Sequence, residues 1–465
     1  MKKKKFKLFD AILATVCITL VADSVAPTAS IGNSQFFWWI FLLIAFCLPY
    51  GLISAELGST YPSDGGMYEW VKKAFGKKMA ARVAWNYWIN FPLWIASLAT
   101  AITDVIMGIF SIELSLVWLL VIQLGYTWIV SLLGCLRIVE SKWIVNIGTI
   151  FKVLFMVGLG LLGIYVAATY GLANEYTIAS LFPSLDLAGI GFVSVIIFNF
   201  LGFEVVSTFA EDLKNPKKEI PKAIIIGGIL MAVFYLLPSF GINVAIPVEE
   251  IPTTTGITES FAIMMGIIGV PEQITSTVII VIGLMFIYTM VANIVSWSFG
   301  VNSVAKYSAE DGGLPKVFAK VNKEKVPYMG SIINGIVASV IIVIGLLIPE
   351  SGADLFWTFF SFSLVTLLIS YLPLFPSFIK LRKIDPNVTR PYKVEGGEFK
   401  LKLMTYVPVI LLVLGIFFTL FPDFTIETLT YQWPLIVGVI VSIIIQELLV
   451  LFVKEDTKKN AKTRK

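Results

Sequence analysis

Several ionisable side chains stand inside long apolar runs of this chain, among them Asp23, Asp104, Lys152 and Glu204. Asp23 belongs to the stretch Val21-Ala22-Asp23-Ser24-Val25-Ala26-Pro27-Thr28-Ala29-Ser30-Ile31-Gly32, which combines a carboxylate, a proline and small residues. A continuous membrane helix avoids that combination. An Asp at a bilayer centre costs about 3 kcal/mol on insertion scales, and such a residue marks a functional site by default. Pro27 removes a backbone donor and disturbs the turn before it. Irregular backbone at membrane depth is tolerated only where it is buried in protein or lines a cavity. The stretch therefore reads as a broken helix facing a substrate cavity, with Ser24 and Ala26 beside the carboxylate. Asp23 lies about 13 residues into its run, roughly 20 Å from the start at 1.5 Å per residue. Two roles fit it: a counter-charge for a bound ammonium, or a structural partner of Lys152 or of the broken helix. Lys152 is the one basic residue that interrupts the pattern of its run. Asp104, near the far end of the third run, is either a vestibule charge that attracts cations or a solvated helix end.

The elements that hold these residues follow from composition. Of 465 residues, 57% are hydrophobic and 14% charged, against about 25% charged in soluble domains. Mean hydropathy is +0.87. Apolar runs near the length of a spanning helix, about 20 residues, are read at 10–32, 36–56, 82–110, 115–135, 143–170, 188–210, 222–246, 275–305, 331–349, 353–379, 405–421 and 432–453. Lys2 to Lys7 precede the first run, which is too long for a signal-peptide core and is kept as a span. Cys17, Cys47 and Cys135 lack metal-ligand spacing and read as buried spectator thiols. The absence of histidine excludes a histidine proton relay. No cofactor, metal or nucleic-acid partner is expected.

Lys and Arg set the orientation. They gather in the N-terminal tail, after the second span (Lys72, Lys73, Lys77, Lys78, Arg82), after the fourth (Arg137, Lys142), after the sixth (Lys214, Lys217, Lys218, Lys222), after the eighth (Lys306 to Lys325), after the tenth (Lys380 to Lys402) and in the C-terminal tail. Loops 171–187, 247–274 and 422–431 contain neither Lys nor Arg. Both termini are expected on the cytoplasmic side of the cell membrane, with an even number of spans.

Three motifs occur on the basic side: Glu56 to Pro62 continuing to Gly65-Gly66-Met67-Tyr68; Phe198-Asn199-Phe200-Leu201-Gly202-Phe203-Glu204 followed by Ala210-Glu211-Asp212-Leu213-Lys214-Asn215-Pro216; and Ala309-Glu310-Asp311-Gly312-Gly313-Leu314-Pro315. In this order they resemble the signatures of the amino acid–polyamine–organocation (APC) superfamily of transporters. The resemblance implies an all-α integral membrane protein with 12 transmembrane helices. Two inverted five-helix repeats, with helices 1 and 6 broken, would be followed by two C-terminal helices. The expected division is a cytoplasmic tail 1–9, a first repeat 10–170, a second repeat 171–379, the last two helices with their preceding loop 380–453, and a tail 454–465.

The same resemblance implies roles. Glu204 would gate or couple, or else cap the second break. Phe198, Asn199 and Phe200, just before Gly202, fall where members place an aromatic gate. Tyr87 and Trp297 match substrate-site positions, and Asn90 lies in the same aromatic stretch as Tyr87. Lys152 resembles a span-five lysine that fills the place of a sodium ion and holds the unwound carbonyls of helix 1. One departure matters: members that carry amino acids have a small-residue break whose N–H groups hold the substrate carboxylate, whereas here stands Asp23. That favours a cationic substrate without a carboxylate. Among the branches, the chain most resembles the bacterial agmatine/putrescine exchangers. The expected function is therefore exchange of cationic amines, with an amino acid permease or an amino acid/amine exchanger (tyrosine/tyramine or glutamate/GABA type) as the alternative. Expected partners are small cationic amines and lipid, with a homodimer left open. An enzyme is not expected, because no nucleophile–base pair, metal cluster or phosphate loop is present. A receptor without flux would need a soluble output domain, for which the spans leave no room.

Overall fold

Apolar runs of this length must satisfy every backbone group internally, and the chain does so with helices. The computed structural model describes residues 7–183, 187–252, 256–347, 352–422 and 425–454, the side chains of residues 23, 187–192, 352–354 and 426–431 excepted. The two basic tails therefore lie almost wholly outside the described residues. Among these there is no strand. The α-helices of five or more residues are α1 Leu8–Thr19, α2 Val25–Ala29, α3 Gln35–Thr60, α4 Met67–Phe75, α5 Lys77–Phe110, α6 Leu116–Leu133, α7 Ile138–Tyr170, α8 Leu187–Asn199, α9 Pro216–Ala245, α10 Gly256–Ile267, α11 Glu272–Glu310, α12 Tyr328–Leu347, α13 Gly352–Tyr371, α14 Leu374–Ile384, α15 Glu398–Leu420 and α16 Ile426–Leu451.

Ten helices among the described residues are long and apolar enough to cross a bilayer. The first and sixth of the twelve expected runs are not among them, because each is interrupted. The first gives α1, two extended residues, a 3-10 turn at Ala22–Ser24 and α2. The sixth gives α8, a kink at Gly202 and a 3-10 segment at Phe203–Phe209. Most other helices overrun their expected ends. The third starts at Lys77 rather than 82 and the eighth ends at Glu310 rather than 305. Hydropathy marks the lipid-depth part of a helix, whereas the hydrogen-bond ladder continues into the polar turn beyond it. The loop 247–274 also holds α10, unforeseen because its apolar run is short.

The interior holds both breaks. α5 packs against α11 and α13, α7 against α9 and α11, and α9 against α1, α2 and α3. Small residues let α7 and α9 approach closely: a Cβ on Gly163 would lie 2.0 Å from the Gly241 carbonyl oxygen, the close backbone contact that Gly permits in membrane helix pairs. The outward faces of α6 and α16 carry exposed Val117, Trp118, Val121, Val437, Ile440 and Ile444, as expected where lipid is the solvent.

Candidate functional site

The α1 ladder stops at Thr19 because Leu20 (φ −83°, ψ 94°) and Val21 (φ −95°, ψ 99°) are extended. Pro27 is the third residue of α2, where N–H groups have no intrahelical acceptor, so its missing donor costs nothing. Stopping a helix at membrane depth orphans its last carbonyls, each of which must find a partner. Here every one does. The Lys152 ammonium, on α7, donates to the Cys17 carbonyl at 2.8 Å and to that of Leu20. Asn293 Nδ2, on α11, donates to Cys17 at 3.0 Å and to Ile18 at 3.3 Å. The Trp297 indole N–H donates to Ile18 at 3.2 Å. The Tyr235 hydroxyl donates to Thr19 at 2.8 Å and accepts the Val21 N–H at 2.7 Å.

The second break rests against the first. Gly202 has φ +112°, a conformation that disfavours any side chain. A Cβ there would also lie 2.6 Å from Ile18 Cγ2 and 3.2 Å from the Trp297 ring. The Ser24 hydroxyl donates to Asn199 Oδ1 at 2.7 Å, joining the two breaks directly. Asn199 Nδ2 is buried with no partner among the described residues, a donor available at the junction.

Two residues beyond Gly202, Glu204 is fully buried within a cage of three phenols. Tyr87 donates to Oε1 at 2.8 Å and Tyr371 to the same oxygen at 2.6 Å, while Tyr50 donates to Oε2. Tyr50 also accepts the Gly202 N–H at 3.1 Å. Among the described residues Glu204 forms no ion pair. One carboxylate thus joins the second break to α3, α5 and α13. Around it lie aromatic faces: Tyr87 is 6.1 Å from Trp297 and 6.3 Å from Tyr371. Phe198 meets Trp94 at 5.4 Å and Phe360 at 5.1 Å, and Phe200 meets Trp39 edge-on at 5.4 Å. Such faces attract ammonium and guanidinium groups by about 0.5–2 kcal/mol.

Of the residues named from sequence, Ser24, Tyr87, Phe198, Asn199, Phe200, Gly202, Glu204, Trp297 and Lys152 converge on this junction. The Asp23 side chain lies outside the described residues, although its backbone forms the 3-10 turn between the half-helices. Asn90 instead bonds its own helix, donating to the Tyr87 carbonyl at 2.5 Å. Ala26 packs against Gly256 of α10. Asp104 is half-buried, and its Oδ2 is buried with no partner among the described residues. Tyr50, Tyr235, Asn293 and Tyr371 were not foreseen. The signal for them is only indirect, namely that a buried carboxylate and a broken helix need donors and acceptors.

Cavities among the described residues open at the two ends of the helices, away from the junction residues. One, of about 410 Å³, opens at the basic end beside Asp64, Arg137, Thr208, Glu211, Asp212 and Glu324. The other, of about 370 Å³, opens at the opposite end beside Asn33, Ser34, Asn174, Glu175, Phe182 and Val248. Ion pairs brace the basic end: Arg137 bridges Asp212 at 3.4 Å and Glu324 at 3.7 Å. Arg382 and Arg390 both hold buried Glu56. Lys72 pairs with Asp311 at 2.6 Å. Burial opposes ionisation of Asp311, but the hydrogen bonds of Lys72 and Tyr68 outweigh it and hold its carboxyl below the ordinary value.

Asp64, in the loop between α3 and α4, behaves oppositely. Burial, with the charges of Glu211 and Asp212 beside it, pushes its pKa up to about 7, despite the Glu211 N–H at 3.1 Å and the opposing charge of Lys306. In the unfolded chain the same carboxyl titrates near about 4. Below that pH it is neutral in both states. As pH rises toward 7 the unfolded chain releases the proton while the folded one keeps it, so stability falls across that window and the loss is complete above it. Asp64→Asn keeps the acceptor for Glu211 without the charge. The variant should melt higher than the parent at pH 8, with the gain disappearing toward pH 4. An equal gain at both pH values would mean that charge is not the cause.

The chain is 47% identical over 450 residues to the probable agmatine/putrescine antiporter AguD of Lactococcus lactis, covering 96% of this chain and 95% of the relative. It is 25% identical over 414 residues to an uncharacterized transporter of Legionella pneumophila, covering 88% of each. It is 24% identical over 467 residues to the glutamate/gamma-aminobutyrate antiporter of Lactococcus lactis, covering 96% of this chain and 90% of the relative. A family model described as amino acid permease matches residues 6–445. With two broken helices meeting in a buried polar junction and a family match over nearly its whole length, the chain belongs to the amino acid permease family, within the APC superfamily.

Proposed function

We propose that this chain is a secondary antiporter of cationic amines that exchanges agmatine for putrescine by alternating access. The observation that carries the reading is the 47% identity, over 96% of the chain, to a probable agmatine/putrescine antiporter. The carboxylate residue in the first break supports it: an ammonium taken from water into a buried site needs a paired, hydrogen-bonded counter-charge. In this reading Asp23 meets the substrate, with Ser24, Asn199 and the faces of Tyr87, Phe198 and Trp297 around it. Glu204 and its phenols form the gate, with Phe200 beside it. Lys152 stands where a sodium ion would sit, its ammonium on the Cys17 and Leu20 carbonyls. The proposed frame is twelve crossings in two inverted repeats, 10–170 and 171–379, with the basic ends and both termini cytoplasmic. A homodimer is compatible with it.

The test is counterflow in proteoliposomes with labelled agmatine, putrescine, arginine, tyrosine and glutamate. The two amines should exchange, at rates unchanged when choline replaces sodium at constant ionic strength. Flux of an amino acid alone would favour the second reading, an amino acid exchanger, which the likeness to the glutamate/gamma-aminobutyrate antiporter supports. Steep sodium dependence would remove the role given to Lys152. Orientation has its own test. In a cysteine-free background, a cysteine at exposed Glu250 should react with an impermeant thiol reagent added to intact cells, and one at exposed Lys323 should not. The reverse labelling would overturn the orientation.

A further inference from the structure

At the end opposite the basic loops, a cavity of about 370 Å³ opens between the turn after α2, the loop after α7 and the turn after α9. Side chains pin these three segments together. Asn33 Nδ2 donates to the Glu175 carbonyl at 2.7 Å and to the Ser180 hydroxyl at 3.0 Å. Asn174 Nδ2 donates to the Ile246 carbonyl at 2.9 Å, and its Oδ1 accepts the Val248 N–H at 3.2 Å.

The groups these bonds leave over are all of one kind. Asn33 is 8% exposed; its Nδ2 is engaged twice, and its Oδ1 is buried with no partner among the described residues. Buried acceptors ordinarily have a donor, and this one lines the cavity through its residue. The Glu175 backbone is held by its carbonyl, while its exposed side chain forms no ion pair among the described residues. Phe182 sets an exposed ring beside them, braced by Phe37 at 5.7 Å. No cation of these loops competes, because 171–187 and 247–274 contain neither Lys nor Arg, and Glu249 and Glu250 follow Val248. An amide oxygen, a carboxylate and an aromatic face together suit a group that carries positive charge, several N–H donors and no acceptor, which is an ammonium or guanidinium.

We propose that this cavity is a second amine site, on the outer side, which holds one charged end of a cationic amine apart from the junction. The inference rests on the amine reading and on the outward placing of this end. Asn33 lies ten residues beyond Asp23, with α2 between them. Binding there is weak, because a carboxylate open to solvent contributes little; its effect is to concentrate the amine at this end of the protein.

The test uses Asp23→Asn, in which the junction no longer takes the amine. Putrescine titrated into that variant and followed by saturation-transfer NMR should show residual binding on the order of millimolar. Adding Glu175→Gln should weaken it about threefold, adding Phe182→Leu about threefold, and adding both about tenfold. Both side chains are exposed, so the melting temperature should not move. Residual binding that is equal in all these variants, or absent from Asp23→Asn, overturns the proposal, and so does a cavity that takes magnesium but not putrescine. With Asp23 intact, Glu175→Gln should raise KM about threefold for amine added outside cells, leave KM for internal amine and the maximal rate unchanged, and lose its effect at high salt. A merely structural role would not move KM on one side alone. If Asp23→Asn gives no folded protein, an unchanged external KM in Glu175→Gln overturns the proposal by itself. Counterflow by the parent decides the amine reading separately. Amine exchange without any binding that depends on Glu175 refutes the outer site alone. Such binding in a parent that exchanges only amino acids refutes the amine reading and upholds the cation site.

Discussion

Asp23→Asn should abolish exchange of agmatine and putrescine while the protein still inserts and purifies as a monodisperse species. The side-chain volume barely changes, so the loss reports charge. Each ammonium or guanidinium that enters the junction loses hydration that only a paired charge offsets. Removing one partner of a buried charge pair typically costs about 3–5 kcal/mol, more than a hundredfold in affinity. The appropriate control is Glu250→Gln on the exposed loop between α9 and α10, where a solvated charge is screened and any loss should be slight and vanish at high salt. Near-normal counterflow of the diamine in Asp23→Asn would make Asp23 structural and remove the main physical support for a cationic substrate. If the variant instead fails to fold and Lys152→Met rescues it, the two residues form an ion pair. Lys152 also donates to two carbonyls at the end of α1.

The second large effect concerns the phenol cage. Glu204→Leu should lower stability far more than Tyr50→Phe, Tyr87→Phe or Tyr371→Phe taken singly. Removing one phenol leaves a carboxylate with two remaining donors, a loss of about 1.5–3 kcal/mol, the scale of one hydrogen bond to a charged group. Removing the carboxylate strands three buried hydroxyls at once, each costing about 1–3 kcal/mol. The expected difference is thus several kcal/mol, read as melting temperature in detergent or as failure to recover a monodisperse protein. Glu204→Gln should fall between them, because its amide oxygen accepts two of the three donors while its NH₂ accepts none. A Glu204→Leu variant as stable as the single phenylalanine variants would show that the carboxylate does not hold these helices together. Double-mutant cycles between Glu204→Gln and each tyrosine would apportion the rest, since neighbours in one network are not additive.

What the sequence settles by itself is the part that physics makes local. Long apolar runs must become membrane helices, and Lys and Arg gather on one side of them. Asp23 with Pro27 marks a break in the first long run, because a proline acts on its own turn; the break in the sixth was implied only by the resemblance, and the left-handed φ of Gly202 within that motif is a finding of the structure. The resemblance read from Glu56 to Tyr68, from Phe198 to Pro216 and from Ala309 to Pro315 is carried by the matching family over residues 6–445. The partners of the breaks were not legible. Tyr50, Tyr235 and Tyr371 are three of 16 tyrosines, and nothing in their spacing separates a phenol that caps a carbonyl from one that packs. Tyr235 lies 216 residues from Thr19, and Tyr371 lies 167 from Glu204. A broken helix at membrane depth requires every freed carbonyl and N–H to be satisfied. The requirement can be deduced from the chain, but which side chains meet it depends on how α7, α9, α11 and α13 pack around the junction, and only the tertiary structure decides that.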